Sequence, residues 1–201
     1  EADDMRQSLS QTSLADLSKQ YLNYYASFNP VIKAVGLPEV VDDETSNTIV
    51  VTEKYQIDEF WKDDKHELLA HVINEQVYKP DVSQRTMPLS VTYPRSIHHR
   101  IEIDLSEPYR VDSDSQSISD GVMNFRYLQS TKGNLITLDY FFTTSTDSVA
   151  VEKVARHLAT RDRIRNFVGF ELTRRGGNVR VFAGSRPTGF PAVAAGAFGL
   201  G

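Results

Sequence analysis

The sequence predicts an α+β fold that is mainly β: an antiparallel, β-sandwich-like domain with an amphipathic helix near each end and a short internal helix. Apolar residues alternate with a period of two in several short segments, which is typical of half-buried strands. Two such segments flank Lys132-Gly133-Asn134, and this turn sequence predicts a hairpin over Val122–Thr143. Near residues 14–28 and 148–167 the apolar residues instead recur with the helical period.

The N-terminal helix is predicted to follow Ser13, an N-cap residue, with Asp16 placed where its charge favours a helix start. Pro30 ends it. One helical face carries apolar and aromatic side chains: Leu14, Leu17, Tyr21, Tyr25 and Phe28. A packing face is the preferred interpretation of this tyrosine cluster, and an aromatic platform for a ligand is the alternative. Residues 1–11 are expected to be a flexible start.

An acidic hairpin is predicted next, with strands Glu39–Asp42 and Thr48–Ile57 around the turn Asp43–Asn47. A twelve-residue calcium loop from Asp42 to Glu53 is the alternative, because acidic and hydroxyl side chains occupy several ligand positions. Asn47 stands where such a loop needs glycine, and the flanks alternate like strands. The hairpin turn is therefore the better account.

Farther along the chain we expect a helix from Asp64 to Gln76, strands at Leu89–Tyr93 and Ile97–Leu105 with Pro94 between them, and a C-terminal helix capped by Asp147 or Ser148. Residues 173–201 hold seven of the chain's 11 glycines. A glycine-rich segment loses much backbone entropy on ordering and has little to bury, so a disordered tail is expected. Residues 12–172 are thus predicted to form a single β-rich domain.

The composition excludes several kinds of chemistry. The chain has no cysteine, so it can form neither a disulfide nor a thiolate metal site, and it lacks a cysteine nucleophile. The formal net charge of −5 argues against nucleic acid as a partner. No apolar run approaches the roughly 20 residues of a membrane-spanning helix. The sequence begins EADDMRQ, without the pattern of a signal peptide, and is expected to be a piece of a longer protein.

Four histidines are the remaining candidates for metal chemistry. A zinc-binding HExxH helix needs histidines four residues apart, but His66 and His71 are five apart, which places them about 140° apart on a helix. His98 and His99 are adjacent on a predicted strand and therefore point to opposite faces. We accordingly assign no catalytic, cofactor-binding or metal-ligating residue and expect no cofactor.

Several segments resemble the region after the catalytic core in large bacterial transglutaminase-like proteins that carry an N-terminal domain of unknown function. They are SLADLSKQYLNYYASFNPVI, EVVDDETSNTIVVTEKYQIDEFW, YPRSIHHRIEIDL and VEKVARHLATRDRIRNF, which together extend from about Met5 to Leu172. The resemblance implies an upstream papain-like core with a Cys–His–Asp triad, and none of those residues matches a position here. It also implies a periplasmic or otherwise exported protein.

The expected function is that of a non-catalytic accessory domain in an exported bacterial transglutaminase-like protein, with the core of the same polypeptide as its partner. One alternative is a free-standing β-sandwich module that binds a glycan or a peptide. A metal-dependent hydrolase that uses His66, His71, His98 and His99 is the least favoured alternative.

Overall fold

The computed structural model describes residues 2–78, 86–106, 111–175 and 178–183. It confirms an α+β fold that is mainly β and antiparallel. The described residues form two compact units, and this corrects the expected single domain over residues 12–172. Unit 1 comprises residues 2–60 and unit 2 comprises residues 61–183. The sequence gives no linker signal at the division, which falls between the adjacent aromatic residues Phe60 and Trp61.

Unit 1 begins with a helix, so the expected flexible start is wrong for residues 2–11. Helix α1 spans Ala2–Gln11 and has Asp3 and Asp4 in its first turn, where negative charge favours helix formation. Arg6 projects from α1 and donates hydrogen bonds to both carboxylate oxygens of Asp42 and to Asn47 Oδ1. These partners lie 36 and 41 residues away, which is why local sequence reasoning did not find the helix.

Helix α2 spans Leu14–Ala26 and confirms its predicted cap and its packing face, except that Leu14 is 42% exposed. The Ser13 hydroxyl accepts a hydrogen bond from the Asp16 backbone N–H at 3.1 Å. The ring of Tyr25 meets Tyr55 edge-on, with ring centroids 5.1 Å apart. Burial raises the pKa of Tyr55, and the hydrogen bond that its hydroxyl donates to Glu53 adds to the effect. The tyrosine cluster is therefore half-buried packing.

Two small sheets complete unit 1. Strand β1 (Ile32–Ala34) pairs with β4 (Tyr55–Ile57), and β2 (Glu39–Asp43) pairs with β3 (Thr48–Thr52). The predicted hairpin is confirmed, but its second strand is two strands, because residues 55–57 pair with β1 instead of β2. At the turn, the Asp43 carboxylate accepts hydrogen bonds from the backbone of Thr45 and Ser46.

Unit 2 is built on a four-stranded antiparallel sheet in the order β7-β10-β9-β8. Its strands are β7 (Ser96–Asp104), β8 (Asp114–Ser119), β9 (Met123–Lys132) and β10 (Leu135–Thr144). The predicted hairpin is thus confirmed as β9–β10, with Gly133 in the left-handed region at φ 65°. Strand β6 (Leu89–Ser90), shorter than the predicted Leu89–Tyr93, pairs with β11 (Ser148–Val149).

A second sheet of unit 2 has the order β13-β12-β5 and comprises β5 (Lys65–Leu69), β12 (Gly169–Arg175) and β13 (Asn178–Ala183). The disordered tail was therefore wrongly predicted for residues 173–175 and 178–183, which pair as strands, whereas residues 184–201 lie outside the described residues. Phe170 of β12 packs on Tyr127 and Tyr140 of the four-stranded sheet, with ring centroids 5.8 and 6.2 Å apart. This contact gives unit 2 its sandwich-like core.

The helix predicted from Asp64 to Gln76 is wrong in its first half. Asp63 and Asp64 form a two-residue turn with φ 52° and 59°, which suits a tight hairpin, and β5 follows because it pairs with β12. The short internal helix is α3, which spans only His71–Gln76. The residues that pair with β5 are 100–108 positions away, so helix-like local spacing carried no information about them.

The C-terminal helix α4 spans Val154–Val168 and follows a 3-10 turn at Val151–Lys153. The predicted cap at Asp147 or Ser148 is wrong, since Ser148 belongs to β11 and its hydroxyl bonds to Asp147. Helix α4 buries apolar side chains that include Val154, Leu158 and Ile164. It thereby contributes to the core beneath the four-stranded sheet.

Candidate functional site

The four-stranded sheet has two unlike faces. Its inner face is apolar and buried, with Phe125, Tyr127, Leu138, Tyr140 and Phe142 each at most 2% exposed. Its opposite face, called the outer face here, is mostly polar. Three rows of directly paired residues cross it from β7 to β8: Ser96–Thr143–Asn124–Ser119, His98–Phe141–Arg126–Ser117 and Arg100–Asp139–Leu128–Ser115.

Asp139 is the acidic centre of the outer face and is only 8% exposed. Arg100 donates to it from Nε at 2.8 Å, and His98 Nε2 lies 2.6 Å from its Oδ1. Burial alone would raise the pKa of Asp139, but the hydrogen bonds from Arg100 and His98 outweigh that effect and hold the pKa below its ordinary value. Asp139 is thus an ionised carboxylate that is already bonded within the protein.

Phe141 stands at the middle of the second row and has a partner on each side. The His98 ring stacks on it with centroids 4.3 Å apart and an interplanar angle of 13°. The Arg126 guanidinium lies 4.9 Å from the ring centroid, from the neighbouring strand on the other side. The ring therefore offers little free aromatic surface for stacking against a sugar.

Beside Arg126 the outer face forms a shallow depression of about 290 Å³ that reaches the β8 side of the sheet. Asn124 organises its polar wall, because its amide donates to Thr143 and Ser145 while its Oδ1 accepts from Ser119. Within the described part of the chain, Arg126 makes no ion pair. The depression thus combines a guanidinium that contacts the Phe141 ring but makes no such ion pair with hydroxyl and amide groups, an arrangement that can bind a carboxylate.

A second polar cluster lies inside unit 2. His157 Nδ1 is 2.7 Å from Asp120 Oδ2, and the two side chains are 2% and 3% exposed. Asp120 Oδ1 also accepts hydrogen bonds from the backbone of Val122 and Met123. Burial lowers the pKa of His157, Arg161 lowers it further, and the bond to Asp120 opposes both effects. This pair ties α4 to the turn before β9 and is too enclosed to meet a substrate.

The four histidines considered for metal binding do not form one cluster, although the charge of His99 acts on His71. His66 lies on β5 and His71 begins α3, while His98 and His99 lie on opposite faces of β7 as predicted. Burial lowers the pKa of both His71 and His99 to about 4, so both are neutral at pH 7. Among the described residues there is no group of three or more His, Cys, Asp or Glu side chains that could hold a metal ion.

Three carboxylates within the alternative calcium loop, Asp42, Asp43 and Glu53, are engaged within unit 1. Arg6 binds Asp42 and holds the pKa of that carboxyl below its ordinary range. Asp43 bonds to Ser46, which lowers its pKa in the same way. The arrangement is that of a hairpin turn between strands, as the sequence predicted.

The sequence patterns did not predict a site on the outer face. The alternation of β9 and β10 identified the strands, and the adjacency of His98 and His99 correctly placed one ring on each face. Nothing local shows that His98 and Arg100 meet Asp139, about 40 residues away, or that Arg126 faces Phe141. The available signal was the polar residues between the apolar ones in MNFRYLQ.

Comparisons with family models, curated proteins and solved structures found no match for this chain. No helix in the described residues is long and apolar enough to cross a membrane. Its class is therefore defined by its own geometry: a mainly β, antiparallel α+β protein with an open polar sheet face.

Proposed function

We propose that this chain is a non-catalytic accessory domain whose recognition surface is the outer face of the four-stranded sheet. The proposal is carried by the Arg126 guanidinium, which lines an open, polar depression and makes no ion pair among the described residues. The other polar clusters of unit 2 are already paired within the protein. Asp139 bonds to Arg100 and His98, and Asp120 bonds to His157. Such an arrangement supports binding through hydrogen bonds and charge.

We further propose that the domain belongs to an exported transglutaminase-like protein with a papain-like core. The ordered series of resembling segments from about Met5 to Leu172 supports this context. In that setting the outer face would bind a peptide segment, either of the protein's own core or of its substrate. A peptide is favoured over a glycan because both sides of the Phe141 ring are already in contact with His98 and Arg126.

Two measurements on the purified chain test the proposal. The chain is expected to show no amide hydrolysis or transamidation, and turnover that a single substitution abolishes would overturn the non-catalytic assignment. An array of peptides and glycans is expected to yield peptide ligands whose binding weakens in Asn124→Ala, because Asn124 organises the depression. Glycan binding at the outer face without peptide binding would overturn the preference for a peptide.

A further inference from the structure

Strand β8 leaves one edge of the four-stranded sheet unpaired among the described strands. It stands last in the order β7-β10-β9-β8 and pairs only with β9 within that part of the chain. An unpaired edge presents backbone N–H and C=O groups that can pair with another strand. Natural sheets commonly block such edges with lysine, proline or a bulge, but β8 reads DSQSIS and its one charge, Asp114, is its first residue.

Arg126 lies one strand inward from this edge, directly opposite Ser117. Ser115 and Ser119 are the next residues of β8 on the outer face, so the side chains between Arg126 and the edge are small. Ser117, Ser119 and Arg126 line the depression together with Asn124, Phe141 and Thr143. The guanidinium contacts the Phe141 ring of β10, so Arg126 has to turn toward Ser117 to meet a carboxylate at the edge.

We propose that the β8 edge adds an extended peptide strand that carries a glutamate opposite Ser117, with its carboxylate bound by Arg126. The inference rests on the proposed recognition role of the outer face and specifies its ligand. An added strand would lie about 5 Å beyond β8 and about 10 Å from β9. Two long side chains, a glutamate and Arg126, can meet above the short Ser117. Main-chain pairing supplies affinity, and the charge supplies selectivity and register.

The test uses the full chain, labelled with ¹⁵N, and a threonine-rich peptide with one central glutamate. One matched peptide carries glutamine in place of the glutamate. The other keeps the glutamate and carries N-methyl groups on the amides that would face β8. The expected result is saturable binding with amide shifts concentrated at Asp114–Ser119. Arg126→Gln should weaken the glutamate peptide about fivefold, as for an exposed ion pair, and leave the glutamine peptide unchanged.

Arg163→Gln is the charge-matched control, since Arg163 is an exposed arginine on α4, and it should change neither affinity. Equal weakening of both peptides by Arg126→Gln would overturn the carboxylate contact. Undiminished binding of the N-methylated peptide would overturn strand addition. Absence of binding to all three peptides would overturn the inference. The proposed function is decided separately, by whether the array yields a ligand that binds the outer face.

Discussion

The two units of this chain are stabilised by different kinds of contact. Among the residues that the structure describes, Leu17 is the one large apolar side chain of unit 1 that is buried, whereas unit 2 buries apolar side chains from both sheets and from α3 and α4. Unit 1 instead exposes Val41 and Val50, a directly paired couple on the hairpin, at 62% and 50%. Its polar contacts lie largely at the surface, such as Arg6 with Asp42 and Lys54 with Glu39.

This difference teaches where the stability of each unit originates. Burial of apolar surface contributes roughly 25 cal/mol per Å², whereas exposed ion pairs contribute little because water screens them. Unit 2 should therefore resist denaturation, and unit 1 should unfold or open more readily. Each of the following predictions tests part of that contrast.

The largest effect is expected from truncation of the unit 2 core. Phe142→Ala removes a side chain that is 2% exposed and should lower the free energy of unfolding by about 3–5 kcal/mol, because it leaves a cavity. Urea denaturation measures the change in the free energy of unfolding, and hydrogen exchange of the β9 and β10 amides measures the loss of local protection. Phe141→Ala, the same change at the next residue on the outer face, is the control and should cost less than half as much. If Phe142→Ala lowered the protection of β2 and β3 equally, the units would unfold as one.

Acidification should destabilise unit 2 through His71 and His99. Their pKa values are about 4 in the folded chain and roughly 6.5 when unfolded, so the unfolded state binds more protons between these values. Stability is therefore complete above about pH 6.5 and falls as pH decreases toward 4. At about pH 5 the shift of either histidine alone corresponds to about 2 kcal/mol, and the two contributions are not additive because the charge of His99 acts on His71.

The pH dependence of the urea midpoint measures this effect. His99→Phe should remove part of the slope between about pH 6.5 and 4. Arg163→Gln, an exposed substitution on α4 that removes no histidine, is the control. A slope that is unchanged in His99→Phe would contradict a buried, neutral His99.

A smaller effect is expected at the start of α2 in unit 1. Ser13→Ala removes the hydroxyl that accepts from the Asp16 N–H, and loss of such a cap costs about 1 kcal/mol. Hydrogen exchange of amides in residues 14–26 is the measurement. Ser13→Asn should restore protection, since asparagine caps equally well. Failure of the asparagine variant to do so would show that the cap is not what Ser13 contributes.

The most local effect is expected for Arg6→Gln. Loss of the Arg6 guanidinium should release α1 from Asp42 and Asn47. Hydrogen exchange over Ala2–Gln11 should then increase, with unit 2 unaffected. Lys19→Gln, an exposed substitution on α2 with the same charge change, is the control. Unchanged protection of α1 would mean that its apolar face, with Met5 and Leu9, suffices to hold it.

The sequence by itself determined the elements whose signals are local. The mainly β, antiparallel class, the cap at Ser13, the β2–β3 hairpin and the β9–β10 hairpin around Gly133 all follow from periodicity and turn chemistry, which act between near neighbours. The opposite orientation of His98 and His99 follows from the pleat of a strand.

Tertiary structure decided the features that depend on distant partners. Strand β5 formed in place of a helix because β12 pairs with it, and α1 is held where Arg6 meets the hairpin. The outer face exists because strand register places Asp139 beside Arg100 and leaves Arg126 beside the small serines of β8. A sequence pattern specifies which residues share a face of one strand, but only register across strands specifies which of them meet.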